Sequence, residues 1–402
     1  MKGMGVCELL SMVPESVLEK IGSSLGVDKP NQKLTGAMIY KLLLYTLAKN
    51  NRMSLRVMEF IYESAIFQNM AKCRDKETRH SSISDRLRKI PCEYFADIFK
   101  HLVDTYDKQL PEKDARNVYR FDSTMISLSA NLFAGMDYGN KKDTSKLNSF
   151  LKVSVGLKGH IPAFVKFYTE QSYASEDIAL KKTIKEASIS PNDFVIFDRG
   201  IASAKTFSEF YEHNITFITR INPERKVKVV KTIESATEET GRKTDSLVIL
   251  KDQKIKLCDS DSNTFFGTTF RLIRARSLST NEELRFLTSD FTTDAIEITE
   301  LYKKRWDIEV FFRFIKQELN FKHFLARDLN GLQSYLYMVL ILSILFLVYK
   351  IKNNKSGYKI AKMYFTQEIE NEITAEIVKA CGGDPLKFRE RYCPETIPVI
   401  YV

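Results

Sequence analysis

Late in the chain, Leu332 to Ile351 reads LQSYLYMVLILSILFLVYKI, the stretch that most restricts how the rest can fold. A helix this apolar on every side has two homes: the hydrocarbon of a membrane, or the centre of a domain large enough to surround it. The run is single, carries Gln333, Ser334 and Ser343, and follows a densely charged segment. It is therefore expected to be a buried core helix, with no membrane partner. The 402 residues, 44% apolar and 28% charged, are ordinary for globular proteins and allow two or three domains.

Gly and Pro number only 16 and 10, which favours long regular elements over linkers. The six cysteines (7, 73, 92, 258, 381 and 393) form no C-x-x-C pair, and the five histidines do not combine with them at zinc-binding spacing. A reducing cytoplasm fits this usage. The opening MKGMGVCELLSMVPESVLEKIG does not read as a signal peptide. A net charge of +10 suits a polyanionic partner, although a basic surface also serves solubility.

Residues 1–110 have helical spacing throughout, as in LTGAMIYKLLLYTLAKN and SLRVMEFIYESAIFQNMA. Within them lies the basic stretch 72–89, ending in SSISDRLRKI. Begun at an N-cap serine, that segment projects Arg86 and Lys89 from one helix face. It reads either as a recognition helix for a DNA groove or as a solvated helix of a small bundle. A polar linker at 108–117 precedes a change of period. Strands are expected at 118–129, 150–159 and 161–171, then a helix, a strand at 193–201, a helix and a strand at 215–221. This order describes an α/β core with a mixed sheet over 117–221. Short β-rich pieces over 222–295 read as an inserted antiparallel sheet. Helical spacing returns over 296–350, with one break near Asn330–Gly331, and 351–402 forms a helical tail.

Asp122 follows VYRF and Asp198 follows FVIF, so each is placed at the end of a core strand. A carboxylate there is costly unless it faces a cleft, a metal or a cation, and two of them on neighbouring strands can share a divalent cation. Turn and capping aspartates are also common in that position. A third acid lies in ELYKKRWDIEVFFRFIKQEL. On one continuous helix, Tyr302, Arg305, Glu309, Arg313 and Lys316 fall within an arc of about 80°. Alternatively this is an exposed stripe of ordinary pairs such as Arg305 with Glu309.

The spacing Tyr302-x2-Arg305-x3-Glu309-x6-Lys316 matches the YREK signature, and its setting resembles the corresponding helix of DDE transposases of the bacterial insertion sequence four family. Asp122 in FDSTMI and Asp198 in VIFDRGIAS resemble that family's two aspartate regions, and the likeness covers roughly residues 80–350. The resemblance implies an RNase H-like mixed-sheet core, interrupted by the β insertion and preceded by an all-helical DNA-binding domain. It implies that Asp122, Asp198 and Glu309 are catalytic and hold two Mg²⁺ or Mn²⁺ ions. Tyr302, Arg305 and Lys316 would grip DNA phosphates, with Arg86, Lys89 and Arg199 as further DNA contacts. The implied function is a cytoplasmic, nucleoid-associated transposase that cuts the ends of its insertion sequence and joins the 3′-hydroxyls to target DNA. The partners would be double-stranded terminal inverted repeats, target DNA and a second copy of the chain. A DNA-binding protein without catalysis, or a nuclease without strand transfer, is the alternative. In one respect the sequence departs from the family: Leu284 stands where some members carry a base-stacking Trp, leaving Phe286, Phe265 or Phe266 as substitutes.

Overall fold

A computed structural model of the chain describes residues 5–10, 12–50, 53–73, 75–109, 117–128, 136–137, 149–258, 264–319, 321, 325 and 328–392. Most of the expected linker at 108–117, together with Arg74, His323 and Cys393, lies outside the described residues. The chain divides into two units, one of Met1–Pro111, Asn131–Phe133 and Arg313–Val402, the other of Glu112–Ala130 and Ala134–Phe312. The division falls after Pro111 and after Phe312, so the expected boundaries at 296 and 350 do not coincide with it. The segments after 313 join the N-terminal helices because the apolar late helix needs them as its cover.

The first unit begins with α1 (Val6–Leu10), α2 (Glu15–Ser24), α3 (Gly36–Lys49), α4 (Leu55–Glu63), α5 (Ala65–Ala71), α6 (His80–Lys89) and α7 (Cys92–Gln109). Short polar side chains start three of these by accepting orphan amides. Thr35 takes Met38 N, Ser54 takes Val57 N, and Ser64 takes Phe67 N. Helix α6 departs from the expected start. It begins at His80 behind Arg79, with no side-chain cap, so all three serines of the SSISD run lie inside it.

The second unit holds β1 (Val118–Leu128), β2 (Met136–Asp137), β3 (Ser149–Lys158) and β4 (Ile161–Tyr168), then α8 (Glu176–Glu186), β5 (Phe194–Ile196), α9 (Ala204–Glu212) and β6 (Thr216–Arg220). There follow β7 (Val227–Ser235), β8 (Leu247–Cys258), β9 (Phe265–Ser277), β10 (Glu283–Thr288), α10 (Ala295–Lys303) and α11 (Trp306–Glu318), whose last residues belong to the first unit. All ten strands form one sheet in the order β2-β3-β1-β5-β6-β10-β9-β8-β7, with β4 paired to β3. Strands β1, β5 and β6 are parallel neighbours, and the other pairings are antiparallel. The strands of 222–295 are antiparallel as expected but are not a separate sheet. β10 pairs with β6 through Phe286–Arg220, Leu287–Thr219 and Thr288–Ile218, so backbone hydrogen bonds run unbroken from core to insertion.

Alternation assigns the central strands to two cores. Val195, Phe197, Phe207, Phe217, Leu272 and Leu287 pack on one face. Phe194, Ile196, Ile218, Phe286, Ile298 and Leu301 pack on the other, beneath α10.

The helical run expected from 296 to a single break near Asn330–Gly331 is already broken at Lys304–Arg305. There Lys304 N and Arg305 N bond to Leu301 O and Tyr302 O, one residue closer than in an α-helix. A second break precedes α12 (Leu329–Lys352), where Asp328 accepts Gly331 N at 2.8 Å. Asn330, expected at a break, sits instead in the first turn of α12 and bonds Cys92 N and Ile90 O. Helix α12 is long and apolar enough to cross a membrane by composition, and 89% of its apolar window is buried. It packs against α3, α7 and α13 (Tyr358–Ala380), and α14 (Pro385–Tyr392) packs on α13.

Candidate active site

Strand register brings the first two acids together. The parallel ladders align Arg120 with Ile196, and Ile196 with Ile218. Two residues beyond that shared rung stand Asp122, Asp198 and Arg220. The β1–β5 ladder ends at Arg120–Ile196, so the two strands part just before the aspartates, at the carboxyl edge where open α/β sheets place their ligands. Asp122 is therefore not at the end of its strand. It lies within β1, opposite Val155 of β3, and only its parallel pairing has ended.

Asp122 accepts the Ser123 amide at 2.8 Å. Burial, then the neighbouring Asp198 charge, push its carboxyl up to about 7, against the Ser123 amide and Arg305; Glu176 adds to the upward push. Asp198 accepts the Gly200 amide at 2.8 Å, and Thr219 of β6 donates its hydroxyl to the Asp198 carbonyl at 3.0 Å. A Cβ at Gly200 would come within 2.9 Å of both Asp198 Oδ1 and Glu176 Cγ, so only glycine fits this turn without displacing a carboxylate.

Glu309 sits in the first turn of α11 with its Oε1 held by Arg305 at 2.6 Å, the i, i+4 pair that was one of the two readings of this stripe. Arg305 also lies over the Tyr302 ring at 5.8 Å, and Tyr302 packs edge-on against Phe286 at 5.4 Å. Burial raises the Tyr302 hydroxyl above its ordinary value, while Arg305 and Arg220 work against that rise. Burial also disfavours the charge of Arg220, and Arg199 and Arg305 add repulsion. Sequence reasoning missed Arg220. Its only signal was an arginine ending the run ITFITR, as Asp122 and Asp198 follow VYRF and FVIF. Among the described residues no three Asp, Glu, His or Cys side chains stand close enough together to hold one ion. Asp122 and Asp198 adjoin, while Glu309 is engaged by Arg305.

Lys316 belongs to the helical unit, two turns beyond Glu309 on α11. Arg199 is exposed in the turn after Asp198, and Lys89 is exposed at the end of α6. Arg86 does not share the exposed face expected for it. It is buried, donates to Leu34 O at 2.6 Å and Val27 O at 2.9 Å, and pairs with Asp28, which in turn accepts Gly36 N at the start of α3. Arg86→Leu is expected to cost the fold about 3 kcal/mol, because an acid and two carbonyls lose their donor. Urea unfolding checks this; unchanged stability with weakened DNA binding would make Arg86 a DNA contact instead. Of the candidate aromatics, Phe286 is buried under Tyr302 and Phe266 packs on the core, whereas Phe265 is 45% exposed.

The family described as the transposase DDE domain matches residues 115–345, more than half of the chain and inclusive of all three acids. The Sinorhizobium fredii protein y4zB, named as a putative transposase, is 25% identical over 267 residues, 64% of this chain and 68% of that one. A Synechocystis protein named as a putative transposase for insertion sequence element IS4SA is 22% identical over 250 residues, 61% of this chain and 65% of that one. Among solved structures, a piggyBac transposase synaptic complex with hairpin DNA aligns over 99% of this chain and 87% of its own at 10% identity, with a TM-score of 0.47. With a family match over most of the sheet unit and both curated relatives named as transposases, the chain belongs to the DDE transposase family.

Proposed function

We propose that this protein is an active, cytoplasmic transposase with an RNase H-like core, which cleaves DNA at the ends of its insertion sequence and joins the 3′-hydroxyl ends to target DNA. The observation that carries the reading is the pair Asp122 and Asp198, adjoining at the carboxyl edge of parallel strands and flanked by Arg220, Arg305 and Tyr302. The donor set fits Mg²⁺ or Mn²⁺. It is all hard carboxylate oxygen, and a divalent cation would offset the repulsion between the two aspartates. Asp122 and Asp198 would hold it, with Glu309 completing a set for two ions. When bound, such ions supply an activated attacking oxygen and a stabilised leaving oxygen.

The chain's other residues bind and orient the DNA. Arg305 and Arg220 are planar donors matched to phosphate oxygens, and Tyr302 offers a neutral hydroxyl beside them. A phosphate between the guanidiniums would relieve their mutual repulsion, so DNA binding and the cationic cluster support each other. Arg199 extends these phosphate contacts outward, and Lys316 and Lys89 are DNA contacts of the helical unit. Two copies of the chain would pair two element ends, and binding would weaken steeply with salt.

The test is Mg²⁺-dependent cutting of a labelled duplex carrying the element's end, wild type against Glu309→Gln. Cutting should fall at least about a thousandfold, equivalent to several kcal/mol of transition-state stabilisation, while DNA binding persists. Equal cutting by both would remove Glu309 from the site. Tight binding without cutting by either would favour a DNA-binding protein that has lost catalysis, and cutting without joined products a simple nuclease.

A further inference from the structure

The far edge of the sheet carries a block of like charge that the signature residues do not explain. Along β7 and β8 the antiparallel register sets Lys228 opposite Lys256 and Lys231 opposite Lys254, two rungs in which lysine faces lysine. Cross-strand partners stand about 5 Å apart, and like charges so placed are destabilising. Plain alternation would put Lys228 and Lys231, three residues apart, on opposite faces. The register shift between Val229 and Lys231 inserts one extra residue and returns Lys231 to the face of Lys228. On β8, Ile255 and Leu257 point into the core, so Lys254 and Lys256 share the other face. Lys228 and Lys231 are exposed, and Lys254 lies over the half-exposed Phe291 ring at 5.3 Å. None of the four lysines makes a salt bridge among the described residues, and the acids of the adjoining Glu234–Asp252 rung are held by Arg242 and Arg271. Lysines on the last strand of a sheet also stop edge-to-edge association. That role accounts for Lys228 and Lys231 but not for Lys254 and Lys256, because β8 is paired on both sides. A polyanion laid across both strands relieves the repulsion of both rungs at once.

We propose that this lysine block is a second DNA surface of the chain, a sequence-independent contact to the phosphate backbone of a duplex, about 20 Å along the sheet from the aspartate strands. Compact, rotatable ammoniums suit phosphate oxygens as point charges. Arg271, opposite Lys254 on β9, is locked by Asp252 and is not free to read a base edge. The proposal rests on the reading of the chain as an enzyme acting on DNA, so the experiment measures binding alone. Fluorescence anisotropy of the full chain in EDTA is followed over a salt series, with a labelled duplex of unrelated sequence and with one carrying the element's end. Lys228→Thr with Lys256→Thr removes one rung while keeping strand-forming side chains, and Lys231→Thr with Lys254→Thr removes the other. Each pair should weaken binding to both duplexes by about tenfold or more at low salt and lower the slope of log affinity against log salt by about two. Melting should stay at or above that of wild type, because a repulsive rung is gone. Wild-type affinity and slope in both pairs would overturn the proposal. Self-association of the variants at unchanged DNA affinity would do the same and make the lysines edge guards only. Loss confined to the element-end duplex would overturn the sequence-independent contact. If wild type binds neither duplex, the reading of the chain as an enzyme acting on DNA fails and takes this proposal with it.

Discussion

Asp122→Asn is expected to abolish metal-dependent cleavage while making the metal-free protein more stable at pH 8. Both effects have one cause. Burial and the Asp198 charge hold the Asp122 carboxyl up at about 7, so its ionised form is tolerated poorly until a cation arrives. A raised carboxyl binds its proton more tightly in the folded state. Its stabilising contribution is thus fully present below about pH 4, the ordinary aspartate range, and is lost as pH rises through 7. In EDTA, wild-type stability should fall by about 2–4 kcal/mol from this group between pH 4 and pH 8. Asn cannot ionise and should not follow. Thermal unfolding across that range is the check: the variant should melt above wild type at pH 8 and converge with it at pH 4. A variant that melts lower at pH 8 would mean that Asp122 is a structural acid whose charge the fold needs. Cleavage by the variant should fall by at least about a thousandfold, the size of loss expected when a two-metal site loses a ligand.

The second large effect lies within the sheet, away from every signature residue in the sequence. Arg271 of β9 and Asp252 of β8 form a buried fork, with Nε–Oδ1 at 3.0 Å and Nη2–Oδ2 at 2.7 Å. Arg271 also donates to Thr293 O, just before Asp294 caps α10 by accepting Ile296 N. Asp252→Ala leaves a guanidinium buried without its counterion, and about 3–5 kcal/mol of stability should be lost in urea unfolding. Replacing both partners by apolar residues, Asp252→Leu with Arg271→Met, removes the charge as well as the pair and should recover much of that loss. If the double variant is no more stable than the single one, the ion pair itself stabilises the sheet, and its attraction outweighs the cost of taking both charges out of water. Because Arg271 anchors the segment entering α10, the single variant should also loosen Tyr302, which hydrogen exchange at Leu301–Lys303 would detect.

Sequence alone determined the elements and their kinds. The strands of 118–220, the helices between them, and the solvent-excluded helix at 332–351 are written in spacings of two and of three to four, which neighbouring residues fix locally. It also determined which side chains have the chemistry to form a site, since acids that follow apolar runs stand out against their surroundings. Tertiary structure decided who meets whom. Register set Asp122 level with Asp198 and added Arg220, because pairing depends on backbone bonds between segments far apart in the chain. It buried Arg86 against Asp28 although nothing in DRLRK distinguishes that arginine from Arg88. It joined the insertion to the core through β10 and divided one helical run into α10 and α11 at Arg305. Periodicity reports how a segment sees water and core; which partner satisfies a buried charge or a strand edge is a property of the whole chain, and no local pattern carries it.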